Sequence, residues 1–231
     1  MKRIKVMTLV ALAILAAACN DNDNIADVEN LKPVEIVNGQ ENGFDYADLG
    51  LPSGLLWATC NVGATSPEQA GLYFAWGETT GYTAEQVERG ERSFDSASYI
   101  TSAISADLTP EQDAARANLG DNWRMPTYDD FVELIDNTTQ TWTDNYNGTG
   151  VGGCVVTSKI NSNSIFLPAA GNAYRDSLCY ARSYGFYWSA SWKSSSYAWF
   201  FSFYRREANS YNYYRYYGRS VRGVLDSNVK N

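Results

Sequence analysis

Apolar and polar positions alternate in short stretches along most of the chain, and only two stretches carry a helical period. Phe44-Asp45-Tyr46-Ala47-Asp48-Leu49-Gly50 alternates loosely and predicts a strand. Leu51-Pro52-Ser53-Gly54 is turn chemistry, and Leu55 to Cys60 predicts a buried strand. Gly71 to Gly77 is a short apolar run bounded by glycines. Thr109-Pro110-Glu111-Gln112 offers an N-cap, a proline at the first helical position and a capping-box glutamine, and so predicts a helix to about Leu119. Thr127 predicts a second helix start, with Asp129 and Asp130 in its first turn. Tyr128, Phe131, Leu134 and Ile135 fall on one face of that helix. Gly150 to Gly153 reads as a turn, followed by short strands at Cys154 to Ser158 and Ser164 to Pro168. Three more strands are expected at Phe186 to Ser191, Tyr197 to Arg205 and Arg219 to Leu225. Strands, two helices, then strands point to an α+β fold, with no tandem repeat.

The N-terminal segment has a different character. Lys2-Arg3-Ile4-Lys5 precedes an apolar run, Val6 to Ala18, too short for a membrane span but matching a secretory signal. The run ends Leu15-Ala16-Ala17-Ala18-Cys19, which resembles a bacterial lipobox with Cys19 as the lipidated residue. Acyl chains there would anchor the chain by about 0.8 kcal/mol per buried methylene. The polar, acidic Asn20-Asp21-Asn22-Asp23-Asn24 follows. The expected organisation is a signal peptide at 1–18, a tether at 19–42 and one domain at 43–227. The expected location is the outer membrane or cell surface.

Composition narrows the chemistry. The chain contains 0 His, which removes Ser-His-Asp and Cys-His catalysis, histidine-ligated zinc and the usual proton shuttle near neutral pH. A net charge of −8 argues against nucleic acid as a partner. Beyond Cys19 there are three cysteines, Cys60, Cys154 and Cys179. In an oxidising envelope they allow one disulfide, Cys154 with Cys179 being the nearer pair, or three free thiols. No metal-ligand spacing and no cofactor motif is present.

Several blocks resemble a large paralogous family of gut-bacterial surface lipoproteins. They are Asp48 to Ala64, Tyr73-Phe74-Ala75-Trp76-Gly77-Glu78, Asn122-Trp123-Arg124-Met125-Pro126-Thr127, Phe166 to Gly171, Tyr187-Trp188-Ser189 and Tyr217-Gly218-Arg219-Ser220-Val221-Arg222. That family is similar to the C-type-lectin fold, in the branch that contains formylglycine-generating enzymes and the variable proteins of diversity-generating retroelements. The resemblance implies a C-type-lectin-like domain whose last part binds a ligand. Gly223 stands where many paralogues carry proline. The calcium motifs of sugar-binding C-type lectins are absent, and none of the three cysteines matches the copper-holding pair of the oxidases.

The segment 184–217 holds about half of the chain's 17 tyrosines, mixed with Ser, Asn and Arg. Tyrosine offers large contact area at the cost of freezing two torsions, and Ser and Asn adapt their hydrogen bonds, as in antibody combining loops. In the retroelement systems, adenines of a template are replaced. Asn codons altered in this way reach Tyr, Ser, Asp, Arg, Phe, Ala and Gly, but not Trp, Lys, Glu, Gln or Met. Ser194 to Tyr197 and Ser210 to Tyr217 fit that set, whereas Trp188, Trp192, Lys193, Trp199 and Glu207 do not. The expected ligand-binding residues are Ser191, Ser194, Ser195, Tyr197, Tyr204, Arg206, Ser210, Tyr211, Asn212, Tyr213, Tyr214 and Tyr216. Trp188 and Trp199 are expected as support. The expected activity is binding, not catalysis, to a protein or glycan on another cell or phage. The alternatives are a non-variable adhesin or fimbrial subunit, and an oxidase of the formylglycine-generating type.

Overall fold

The strand-forming runs pair into antiparallel sheets that use both ends of the domain. The structure is a computed structural model describing residues 37–100 and 103–226. The expected signal peptide, Cys19 and most of the expected tether lie outside the described residues. The largest sheet contains β1 (Gly39–Glu41), β2 (Phe44–Asp48), β3 (Leu56–Asn61), β4 (Trp123–Arg124) and β13 (Arg222–Leu225), in the order β1-β2-β3-β13-β4. The last strand therefore lies between strands from much earlier in the chain. Pairing begins at Gly39, inside the stretch expected as tether, because Gly39 to Glu41 pair with Phe44 to Tyr46 across a tight turn.

A three-stranded sheet, β5 (Thr138–Thr143), β6 (Gly153–Ser158) and β7 (Ser164–Pro168), packs beside the first. Gly153 is a strand residue and not the end of a turn. A small hairpin pairs β8 (Asn172–Tyr174) with β9 (Ser177–Cys179). The third sheet is β10 (Gly185–Trp192), β11 (Tyr197–Tyr204) and β12 (Glu207–Tyr214), in that order. Sequence patterning missed β12. Its residues are mostly exposed or half-buried, so it carries no apolar alternation.

The helices are α1 (Ala84–Glu88), α2 (Ala114–Leu119) and α3 (Tyr128–Asn137). The start of α3 is as expected. The Thr127 hydroxyl accepts from the Asp130 amide at 3.1 Å, and the Asp130 carboxylate accepts from the Thr127 amide at 2.7 Å. The helix expected over Thr109 to Leu119 is broken. Pro110–Gln112 makes one 3-10 turn, and Asp113 is extended with φ −90° and ψ 113°. Asp113 then caps α2 by accepting from the Arg116 amide at 3.0 Å, and it also accepts from the Met125 amide at 2.8 Å. The start signal at Thr109 is real but serves a single turn. The short α1 has a Thr83/Gln86 capping box that periodicity over five residues does not reveal.

Two clusters make most of the core, and the third sheet stands between them. Phe201, Phe203 and Tyr187 join Trp57, Phe131, Leu134, Val156 and Leu167. Phe131 stacks on Phe201 with centroids 5.1 Å apart. On the other side, Trp188 and Phe200 join Phe74, Trp76, Trp123, Val221 and Leu225. The buried indoles keep their hydrogen bonds: Trp76 donates to the Ser189 carbonyl and Trp188 to the Phe74 carbonyl, each at 2.8 Å. Gly185 has a steric reason, since a Cβ there would meet the Phe203 ring at 2.2 Å. Arg222, fully buried, donates to Asn61 Oδ1 and to the carbonyls of Ala58, Thr59 and Phe166 at 2.8 to 3.0 Å. It ties β13 to β3 and β7. The three cysteines are free thiols, which settles the open disulfide question in favour of no pairing.

Candidate binding surface

Strand register decides which C-terminal side chains share a face. In an antiparallel pair, residues directly opposite point the same way. Phe200 lies opposite Tyr211, Ser202 opposite Asn209, Tyr204 opposite Glu207 and Ala198 opposite Tyr213. Phe186 lies opposite Ser202 and Trp188 opposite Phe200. These residues form one face, while Trp199, Phe201 and Phe203 form the other, against α3. Both faces of β11 are thus largely covered, whereas β12 exposes Tyr211 at 42% and Tyr213 at 43%.

On the first face the side chains enclose an open groove of about 300 Å³, with Tyr184, Phe186, Phe200, Tyr204, Tyr211 and Tyr213 as its rings. Ser202 and Glu207 complete it, and Asn212, opposite Trp199 in the register, borders it from between Tyr211 and Tyr213. The Glu207 carboxylate receives the Tyr211 hydroxyl at 2.6 Å and the Tyr204 hydroxyl at 3.2 Å. Those two bonds, Tyr211 first, hold its pKa below the usual value, and they raise the pKa of each tyrosine in return. Tyr184 stacks on Phe186 at 5.6 Å and meets Tyr204 at 5.2 Å, so the wall is a continuous set of rings.

The expected residues divide into five places. Tyr204, Tyr211, Asn212 and Tyr213 line the groove. Tyr197, Tyr214 and Tyr216 belong to a ladder of half-buried rings at the far end of β12, with Tyr174 and Tyr217. Arg206 is exposed at the β11–β12 turn and lines a separate cavity of about 200 Å³ with Trp142 and Gln140. Ser191, Ser194 and Ser195 sit at the β10–β11 connection. Ser191 accepts from the Tyr128 amide at 3.0 Å, and the Ser194 hydroxyl accepts from the Tyr197 amide at 3.1 Å, so both shape the backbone. Ser210 lies on the opposite face of β12, across from Phe201.

Trp188 is fully buried beneath the groove, whereas Trp199 is half-buried between Tyr128 at 4.4 Å and Lys193 at 4.9 Å. Sequence reasoning did not assign Tyr184, Phe186, Ser202 or Glu207 to the site. The available signal was period two. Once Tyr211 is placed opposite Phe200, every second residue of three strands follows.

No three His, Cys, Asp or Glu side chains among the described residues come together as metal ligands. No helix among them is long and apolar enough to cross a membrane. Residues 142–224 match a family described as a domain of unknown function (DUF8237). The match begins in β5 and ends in β13, so it takes in the whole third sheet. No curated protein and no solved structure matches the chain.

Proposed function

We propose that this chain is a surface-displayed, lipid-anchored binding protein whose ligand docks on the outer face of the β10-β11-β12 sheet. The observation that carries the reading is the division of labour across β11 and β12. Phe200, Phe201 and Phe203 are buried, while their neighbours Tyr211 and Tyr213 stand exposed beside a ring-lined groove. Exposed aromatic side chains on a rigid sheet bring contact area at low entropic cost, and Tyr and Arg dominate interface hot spots. A soluble domain with no partner has no reason to concentrate them on one strand.

We read the fold as C-type-lectin-like. Its support is the blocks that carry the family resemblance, which supply buried frame residues: Trp57, Trp76, Trp123, Trp188 and Arg222. We also read the surface as diversified by a retroelement. Tyr211, Asn212 and Tyr213 are exposed and compatible with altered Asn codons; of the incompatible residues Trp188 is buried, while Trp192, Lys193 and Glu207 are exposed and are fixed positions on this reading. Binding is favoured over catalysis because the half-buried and buried carboxylates are used by the scaffold. Asp113 caps α2, Asp130 caps α3 and Glu78 forms an ion pair with Arg92 at 2.7 Å.

The purified full-length protein and its Tyr211→Ala/Tyr213→Ala variant are compared on glycan and protein arrays. Signals of the wild type should vanish in the folded variant, and signals that survive there would refute the docking face. For diversification, the neighbouring DNA should hold a near-copy of the gene's end, with adenines at the exposed positions, beside a reverse transcriptase. A neighbourhood with neither sinks that part.

A further inference from the structure

Three arginines between positions 215 and 222 are buried, and two have hydrogen-bond acceptors. Arg215 donates to the carbonyls of Tyr197, Ile104 and Ser194. Arg222 has the four acceptors given above. Arg219 is 3% exposed, and among the described residues nothing accepts from its Nε or Nη1. Its guanidinium lies among aromatic rings instead. The centroids are 3.4 Å away for Phe200, 4.2 Å for Trp188, 5.5 Å for Phe186, and 5.9 Å for both Tyr213 and Tyr217.

Ring faces offset part of the lost hydration, by about 0.5–2 kcal/mol per contact. They do so above the guanidinium plane. The N–H groups point within that plane and need acceptors, so leaving them unmet carries a desolvation cost. A planar fork of N–H donors is the geometry that receives a carboxylate. Phe186, Phe200 and Tyr213 also line the groove, so this charge lies beneath the groove floor. The exposed Glu207, held by Tyr204 and Tyr211, lies at the other end.

The two charges restrict the ligand. A simple organic cation meets Arg219 under the rings, and a simple anion meets Glu207 at the rim. A ligand carrying both a carboxylate and hydroxyl donors, on a body with an apolar face, meets neither repulsion. We propose that the groove binds an acidic sugar residue, with its carboxylate forked on Arg219 and a ring hydroxyl donating to Glu207. Its C–H face lies on Phe186 and Phe200. In this proposal Tyr213, 43% exposed and 5.9 Å from the guanidinium, is the ring that swings aside to admit the carboxylate. The inference rests on the reading of this face as the binding surface.

The test uses purified full-length protein titrated with sodium glucuronate, glucose, acetate and a short glutamate-rich peptide. Two readouts are followed: tryptophan emission, since Trp188 is 4.2 Å from the guanidinium, and the Nε–H signal of Arg219 in nitrogen-labelled protein. Glucuronate should saturate both while glucose and acetate leave both unchanged. Arg219→Met should weaken glucuronate by about tenfold or more, the loss of a charge-assisted pair. If that variant does not fold, Arg219→Lys keeps the charge without the fork and should show a loss of the same order. Equal responses to glucose and glucuronate, or an Nε–H signal that glucuronate does not move, overturn the proposal. So does an unchanged affinity in folded Arg219→Met, or in Arg219→Lys where that stands in. The peptide binding in place of glucuronate overturns the sugar assignment. Array signals that depend on Tyr211 and Tyr213 alongside inert glucuronate defeat this inference and leave the docking face standing. Array signals independent of those tyrosines defeat the docking face itself.

Discussion

Removing two exposed rings should cost less than removing one buried ring. Tyr211 and Tyr213 stand on the edge strand, each a little over 40% exposed. Tyr211 pairs across the strand with Phe200, at 6.1 Å between centroids, and Tyr213 lies opposite Ala198. Replacing each with alanine loses a cross-strand pair and some strand propensity, about 1 kcal/mol apiece. Phe201 is fully buried, stacked on Phe131 at 5.1 Å and tilted against Phe203 at 5.8 Å. Phe201→Ala removes that contact and leaves a cavity, at about 3–5 kcal/mol. Urea unfolding of wild type, Tyr211→Ala/Tyr213→Ala and Phe201→Ala gives the three free energies directly. The double variant should lose about 2 kcal/mol or less, with an unchanged dependence on urea. A loss in the double variant equal to that of Phe201→Ala would show that the β12 rings belong to the core, and the division between scaffold and display would fail.

Three further outcomes follow from single contacts. Burial raises the Asp130 pKa, but the Arg124 hydrogen bond at 2.6 Å and the Thr127 amide outweigh it, so the folded value lies below the ordinary 3.8. Asp130 therefore contributes stability above pH 3.8 that is lost as pH falls through its lowered value, and Asp130→Asn should flatten the acid limb of a melting-temperature profile. Burial pushes the Cys154 thiol up to about 12, so it should resist alkylation at neutral pH until the protein unfolds, as peptide mass mapping would reveal. A Cβ on Gly223 would meet Leu119 Cδ1 at 2.6 Å and Trp123 at 3.2 Å, so Gly223→Ala should lose about 1–3 kcal/mol in thermal unfolding.

How much was legible follows from what side-chain periodicity can encode. Buried strands such as Leu56–Asn61 and Ser164–Pro168 are short, mostly apolar runs, and α3 has both a cap and a one-sided stripe, so all three were readable. The break at Asp113 was not. It arises from a tertiary bond to the Met125 amide, and no local pattern announces it. The strand β12 was hidden because its exposed side chains obey the demands of a surface and not of a core. The aromatic palette pointed to the segment that lines the groove, yet it included Ser191 and Ser194, whose hydroxyls hold backbone amides. It passed over Glu207, which altered Asn codons do not reach, and Arg219, which lies in one of the blocks that carry the family resemblance.

The position of β12 bears on how the proposed display surface would tolerate change. A one-residue slip of a strand reverses the faces of all its side chains, so register must be held by something other than the displayed residues. Here β11 supplies it. Phe201 and Phe203 fix β11 against α3 and the β5-β6-β7 sheet, while Phe200 and Ala198 fix it on the opposite side. The backbone of β12 then follows β11 residue by residue from Tyr204–Glu207 to Tyr197–Tyr214, with no bulge. Side chains at 209, 211 and 213 can vary while the ladder beneath them stays in place. The same arrangement demands that the edge be protected from pairing with other chains. A charged Arg205-Arg206-Glu207 corner and polar Asn and Ser positions along the strand meet that demand better than the valines and isoleucines of an ordinary strand.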